Sequence, residues 1–173
     1  REVNLKQEDT WLISHAKSRL GKNEIKPPSL DSIYARHLTL GLDGSMWACA
    51  EDEFASESCL VYRWTGTHWG VVHRGVGEGL SATWLDNGAS SKANQKAARE
   101  CWSFARTRLS QTNPLPAIDL GRAIVPCQDA YLEITKQGIR AMAPDPELGM
   151  SHALNITSGA KLGHAYVPKP LPE

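Results

Sequence analysis

Four cysteines, Cys49, Cys59, Cys101 and Cys127, are the residues whose type and spacing best support a definite chemistry in this chain. No two of them stand as C-x-x-C, the spacing that a redox dithiol or a zinc knuckle needs. What remains is structural disulfide formation, which belongs to an oxidising compartment. Cys49 and Cys59 would meet across a predicted hairpin, a register that also sets Trp47 against Val61 and Ala48 against Leu60. Cys101, on a predicted helix, would then reach Cys127 beyond a proline-rich connection. The crossed pairings, 49 with 101 and 59 with 127, or 49 with 127 and 59 with 101, stay open at this level. The bland alternative is four buried thiols acting as small apolar side chains. Cys101 falls mid-helix, where no helix N-terminus would stabilise a thiolate, and this argues against a nucleophile.

Two further groups have binding chemistry. Glu51, Asp52 and Glu53, with Glu57 nearby, form an acidic hairpin tip that carries Phe54. Such a tip suits a basic partner, with the phenyl ring as anchor; the alternative is a solvated turn. The D-x-D-x-D-G pattern of a calcium loop is missing. Gly75, Gly77 and Gly79 follow a predicted strand and read as a flexible loop whose bare backbone a partner can approach closely. They belong to no GK[ST] or G-x-G-x-x-G motif, so they make no phosphate cradle, and no cofactor is expected. The six histidines, His15, His37, His68, His73, His152 and His164, include no H-x-H or H-E-x-x-H pair. His152 and His164 fall on successive predicted strands, where one of them could work with a carboxylate. A G-x-S-x-G nucleophile elbow is absent. Asn155-Ile156-Thr157 matches the glycosylation sequon, which has meaning only in a eukaryotic secretory protein.

The elements that must position these residues follow from periodicity. Trp11, Leu12, Ala16 and Leu20 recur at helical spacing over residues 10–20, and Gly21 stops that helix. Leu38, Leu40 and Leu42 alternate with Thr39 and Gly41, which predicts a strand, and Asp43-Gly44 predicts a two-residue hairpin turn. Strands over 46–51, 58–64 and 68–72 then complete a four-strand antiparallel meander. Trp47, Tyr62, Trp64 and Trp69 lie on adjacent strands, and those facing away from the helices would be exposed or covered by the glycine segment. Ser90 or Ser91 caps a helix running to about Leu109, with Ala93, Ala97, Cys101, Trp102, Ala105 and Leu109 as its inward stripe. A strand at 122–125, a hairpin of 131–134 with 139–142, and weaker strands at 152–157 and 162–167 follow.

The sum is an α+β fold. A single domain over residues 1–173 has an antiparallel four-strand meander packed by an N-terminal helix and a long central helix, with a small β-rich C-terminal part. Residues 1–9 and 168–173 read as mobile ends. With 19 basic and 19 acidic residues the net charge is zero, which gives no footing for nucleic acid or an anionic membrane. No apolar run approaches the ~20 residues of a membrane span. The first residue is Arg1, consistent with a trimmed product whose signal or anchor lay upstream.

These features lead to the expectation of a non-enzymatic, extracytoplasmic binding protein, periplasmic or secreted, of inhibitor or immunity type. Its protein partner, basic in character, would meet the loops 51–57 and 75–79. Two other readings are a small secreted hydrolase using a histidine–carboxylate pair and a structural ectodomain of a larger surface protein.

Overall fold

The computed structural model describes residues 28–50, 59–163 and 165–166, the last two as backbone. The expected helix over 10–20 and the acidic run with Phe54 lie outside the described residues. Within them the protein is a mixed helix-and-sheet fold.

Helix α1 spans Leu30–Thr39 and buries Tyr34, Ala35, His37 and Leu38, neighbours on a 3.6-residue repeat. It ends in a Schellman motif: Gly41 N–H donates to Leu38 O at 3.0 Å and Leu42 N–H to His37 O at 2.9 Å. Gly41 takes φ +63°, and a Cβ there would lie 2.8 Å from Ser45 O, so glycine is required twice over. The strand expected over residues 38–42 is therefore the end of a helix. The Asp43-Gly44 hairpin is corrected with it. A type I′ turn needs φ > 0 at both central residues, yet no described non-glycine residue has it. Asp43 instead accepts from Ser45 N–H at 3.1 Å and from the Trp47 indole N–H at 3.0 Å.

Three strands follow, β1 (Trp47–Ala50), β2 (Leu60–Trp64) and β3 (Trp69–Val71), as an antiparallel sheet in that order. This is the meander without its first expected strand. Pairing is Trp47 with Arg63, Ala48 with Tyr62 and Cys49 with Val61, two residues away from the expected register. A shift of two preserves the faces, so the apolar pattern fits either register equally well. Trp47, Cys49 and Val61 face the helices. Ala48, Tyr62 and Trp69 pack on the opposite side with Leu115 and Trp64.

Helix α2 (Arg74–Ala89) occupies the segment expected to be a glycine loop. A short 3₁₀ turn, Ser90–Lys92, leads to α3 (Gln95–Thr112), whose first turn is capped by the Asn94 side chain accepting from Ala97 N–H at 3.0 Å. Helix α3 buries Ala98, Cys101, Trp102, Ala105 and Leu109 against the other helices and the sheet, close to the stripe expected from sequence. The Ser81 hydroxyl, fully buried, bridges α2 and α3 through Ala98 O at 2.8 Å.

The second sheet holds β4 (Ala123–Pro126), β5 (Tyr131–Thr135), β6 (Gly138–Met142) and β7 (Ala165–Tyr166), antiparallel and in sequence order. The hairpin expected at Lys136-Gln137-Gly138 is present, with Ile134 opposite Ile139. Residues 152–157, expected to be a strand, run irregularly beside β4, held by Leu154 N–H to Pro126 O at 2.8 Å and Gln128 N–H to Ile156 O at 3.1 Å. The two sheets meet at the outer edge of β3. There Trp69 donates its backbone N–H to Met150 O at 2.8 Å and its indole N–H to Pro146 O at 2.9 Å, while the Tyr131 hydroxyl donates to Thr67 O. At the other edge of the first sheet, Cys49 N–H donates to Asn113 O at 2.8 Å and Leu115 N–H to Cys49 O at 2.9 Å.

Candidate functional site

Where α1 ends, its last turn and Gly41 form one wall of an open cleft of ≈ 370 Å³. Ser45 to Ala48, Trp69, Asn113, Pro114, Pro116, Pro146 and Glu147 complete its lining. That volume falls at the lower end of the range in which proteins hold ligands, about 300–1,000 Å³. Proline after α3 forces the chain out of the helix and across β1, which brings Pro114 and Pro116 into the lining. Asn113 fixes the junction: its side-chain amide donates to Thr39 O at 3.2 Å and to Trp47 O at 3.3 Å, tying α1 to β1.

Trp47 is locked from several directions. Its indole N–H is taken by Asp43, its ring meets Trp102 edge-on at 6.3 Å, and the Arg63 guanidinium sits over it at 5.5 Å. Arg63 is itself pinned by donating twice to the Ser45 hydroxyl, at 2.9 and 2.7 Å. Leu40 and Met46 stand at the cleft with 58% and 46% of their surface exposed, a cost in water that a partner would remove. Of the lining residues only Glu147 is charged. The lining is polar and apolar in about equal measure, with Thr39, Ser45 and Asn113 set among the apolar residues.

The residues singled out from sequence are dispersed. Gly75, Gly77 and Gly79 are in the first half of α2 and form no loop. The reason lies in Gly77, where a Cβ would fall 2.0–2.4 Å from three atoms of the Trp102 indole. The glycine makes room for a ring, and the packing outweighs glycine's poor helix propensity. Glu51, Asp52, Glu53, Phe54 and Glu57 lie outside the described residues.

The four cysteines are buried free thiols, where disulfides were expected. In the observed register Cys49 opposes Val61, which leaves Cys59 as its diagonal neighbour on the helix-facing side. Diagonal neighbours sit ~7–8 Å apart between Cα atoms, beyond the ~6.8 Å that a disulfide spans without backbone movement. Burial, and after it the neighbouring Cys59 thiol, push the Cys49 thiol up to about 12. Burial raises Cys101 to about 11 and moves Cys127 in the same direction. Cys101 lies in the helix-side core, and Cys127 follows β4 in the second sheet.

Among the histidines, His152 is exposed and His164 lies outside the described residues. The His68 ring nitrogen Nδ1 is held by the hydroxyls of Thr65 and Thr67, at 3.1 and 3.0 Å, rather than by a carboxylate. No group of three or more His, Cys, Asp or Glu among the described residues is arranged to hold a metal ion. No helix among them is long and apolar enough to cross a membrane. Of the two fates open to the aromatic face turned from the helices, exposed or covered, the structure shows it covered. Trp64 and Trp69 meet edge-on at 5.5 Å beneath residues 114–116 and 146–150, not beneath the glycine segment.

The cleft itself was not anticipated. Its one sequence signal is the pair Pro114 and Pro116 directly after a long helix, which marks a forced extended connection but not what it borders. Comparison with protein-family models, with curated proteins and with solved structures returned no match for this chain.

Proposed function

We propose that the protein is a non-enzymatic binding domain whose contact surface is the cleft at the end of α1. The proposed occupant is an extended peptide segment of a protein partner, with an apolar side chain between Leu40 and Met46 and a lysine or arginine facing Glu147. The observation that carries this is the lining: two exposed apolar residues beside the indole of Trp47, with Glu147 as the one charged residue among those that line the cleft. A carboxylate at a half-apolar groove favours a cationic neighbour and penalises an anionic one. The acidic run Glu51 to Glu57 would add attraction of the same sign.

The two sheets, joined through Trp69 and Tyr131, are taken as parts of one domain. An inhibitor- or immunity-type role is the form of binding that this reading favours. It does not depend on compartment, because with four free thiols the disulfide argument for an extracytoplasmic site has no support here.

The test is selection from a library of short random peptides displayed on phage, using the full chain as bait. Enriched peptides should pair an apolar anchor with a basic residue, and Leu40→Asp or Met46→Asp should abolish their binding without lowering the melting temperature. Selection of peptides without that pairing, or binding that survives both substitutions, would overturn the cleft as the site.

A further inference from the structure

The cleft suits an apolar side chain with a cation close by, and residues 119–122 of this same chain display both. Leu120 is 94% exposed, more than any other large apolar residue among those described. It stands on a braced turn. Asp119 accepts from Gly121 N–H through Oδ1 at 2.9 Å and from Arg122 N–H through its carbonyl at 3.2 Å. Arg122 then ties the turn to the second sheet by donating to Glu133 at 2.8 Å, with 34% of its side chain still exposed. Ahead of the turn, Pro116 O lies so close to Gly149 that a Cβ there would stand 2.1 Å from it. Leu120 is therefore held away from the rest of its own chain, although Pro116, four residues earlier, lines the cleft. An apolar side chain fixed in water is unfavourable until it is buried, and fixing it in advance removes the ordering cost of binding.

We propose, on the reading of the cleft as the binding surface, that its occupant is the turn Asp119–Arg122 of a second copy of this chain, with Leu120 between Leu40 and Met46 and Arg122 facing Glu147. Charge agrees on both sides. The turn carries Asp119 and Arg122 on either side of Leu120, while the cleft has Glu147 in its lining and Arg63 bonded to the hydroxyl of its Ser45. The arginine of the turn meets a carboxylate and its aspartate a guanidinium, so neither sign is left opposite its like. Every copy carries both the turn and the cleft. A two-fold pair therefore makes the contact twice, and the association closes at two copies instead of running on as a filament. Two small contacts place the pair among weak, reversible associations.

Sedimentation equilibrium of the full chain, from about 1 μM to about 1 mM, reads the association. The weight-average mass should climb from 19.0 kDa towards twice that value. Leu120→Asp and, separately, Met46→Asp should each weaken the association by about tenfold or more, the equivalent of one large apolar side chain left in water. Neither should lower the melting temperature of the dilute protein. An equimolar mixture of the two variants should associate more tightly than either alone, because the turn of Met46→Asp still fits the cleft of Leu120→Asp. Peptides selected on the cleft should dissociate the parent pair and bind Leu120→Asp undiminished. A mass that stays at 19.0 kDa throughout, an association indifferent to Leu120, or a mixture no tighter than its components would overturn the proposal. Peptide binding by a chain that stays monomeric would remove the second copy as occupant and keep the cleft as a binding surface; loss of both would remove the cleft as well.

Discussion

Replacing Gly77 with alanine asks whether packing or local propensity rules α2. Glycine in a helix interior is ~1 kcal/mol worse than alanine, so on propensity alone the substitution stabilises. The added Cβ, however, would stand 2.0, 2.2 and 2.4 Å from Cε2, Cζ2 and Cδ2 of Trp102. Carbon atoms rest ~3.5–4.0 Å apart, so the ring would have to retreat by roughly 1.5 Å. It has little room to do so: Trp102 is 2% exposed and abuts Trp47 edge-on. Overpacking of this kind costs up to about 3 kcal/mol, which leaves a net loss of about 2 kcal/mol after the propensity gain. For a chain of this size that lowers the melting temperature by about 4–8 °C. Gly79→Ala, two residues along the same helix with nothing within 4 Å of its Cβ, should gain ~1 kcal/mol instead. Urea unfolding followed by far-UV circular dichroism, with thermal melts alongside, reads both. Adding Trp102→Leu to Gly77→Ala should recover part of the loss, giving a coupling energy in a double-mutant cycle. A Gly77→Ala protein as stable as the parent, or losses of equal size at 77 and 79, would refute the close approach of ring and helix.

Other expectations follow from single contacts. Ser81→Ala removes the hydroxyl shared between α2 and α3 and should cost ~1 kcal/mol in urea unfolding, with Thr83→Ala, exposed on the same helix, as the neutral comparison. Asp129 is held below its ordinary range first by the Ser158 backbone N–H and then by the Ser158 hydroxyl. Its contribution is therefore complete above the unfolded value of ~3.9 and is lost as pH falls through the lower folded value. Thermal melts from neutral to strongly acidic pH should show a shallower acid loss in Asp129→Asn, and an unchanged slope would discount the contact. At mildly alkaline pH the folded protein should react slowly with iodoacetamide at Cys49 and Cys101, which burial holds at about 12 and about 11. Urea should make all four thiols react at once, and rapid native labelling at Cys101 would contradict its burial.

The reading of α3 succeeded because its inward residues repeat at 3.6 with few competing signals. The same rule failed on α1, where Leu38, Leu40 and Leu42 imitate a strand although only Leu38 is buried. The residues that carry the helix, Tyr34, Ala35 and Leu38, lie ahead of that alternation. For α2 the failure has a physical cause: Gly75, Gly77, Gly79 and Gly88 argue against a helix one by one. The fact that decides in its favour, an indole seated on Gly77, joins residues 77 and 102 and has no local trace. The hairpin at Gly138 was legible because glycine at positive φ leaves a local mark. The cysteine pairing was misplaced by two residues because period-2 patterning is blind to even shifts. The cleft was invisible for a different reason, since it is bounded by five separate stretches of chain.

Both borders of the first sheet are closed by chain that comes much later: Asn113 reaches Trp47 from 66 residues away, and Pro146 reaches Trp69 from 77. A ribosome delivers the three strands first, at about 5–20 residues per second, so for several seconds they stand with both rims bare. Bare rims are templates for pairing with a neighbouring nascent chain, and Met46 and Val71, exposed beside β1 and on β3, keep that hazard apolar even in the finished molecule. The prolines of the 113–116 stretch are therefore a seal as well as a wall. A protein truncated after Thr112 should gather in inclusion bodies, with its helices intact and its sheet seeking partners.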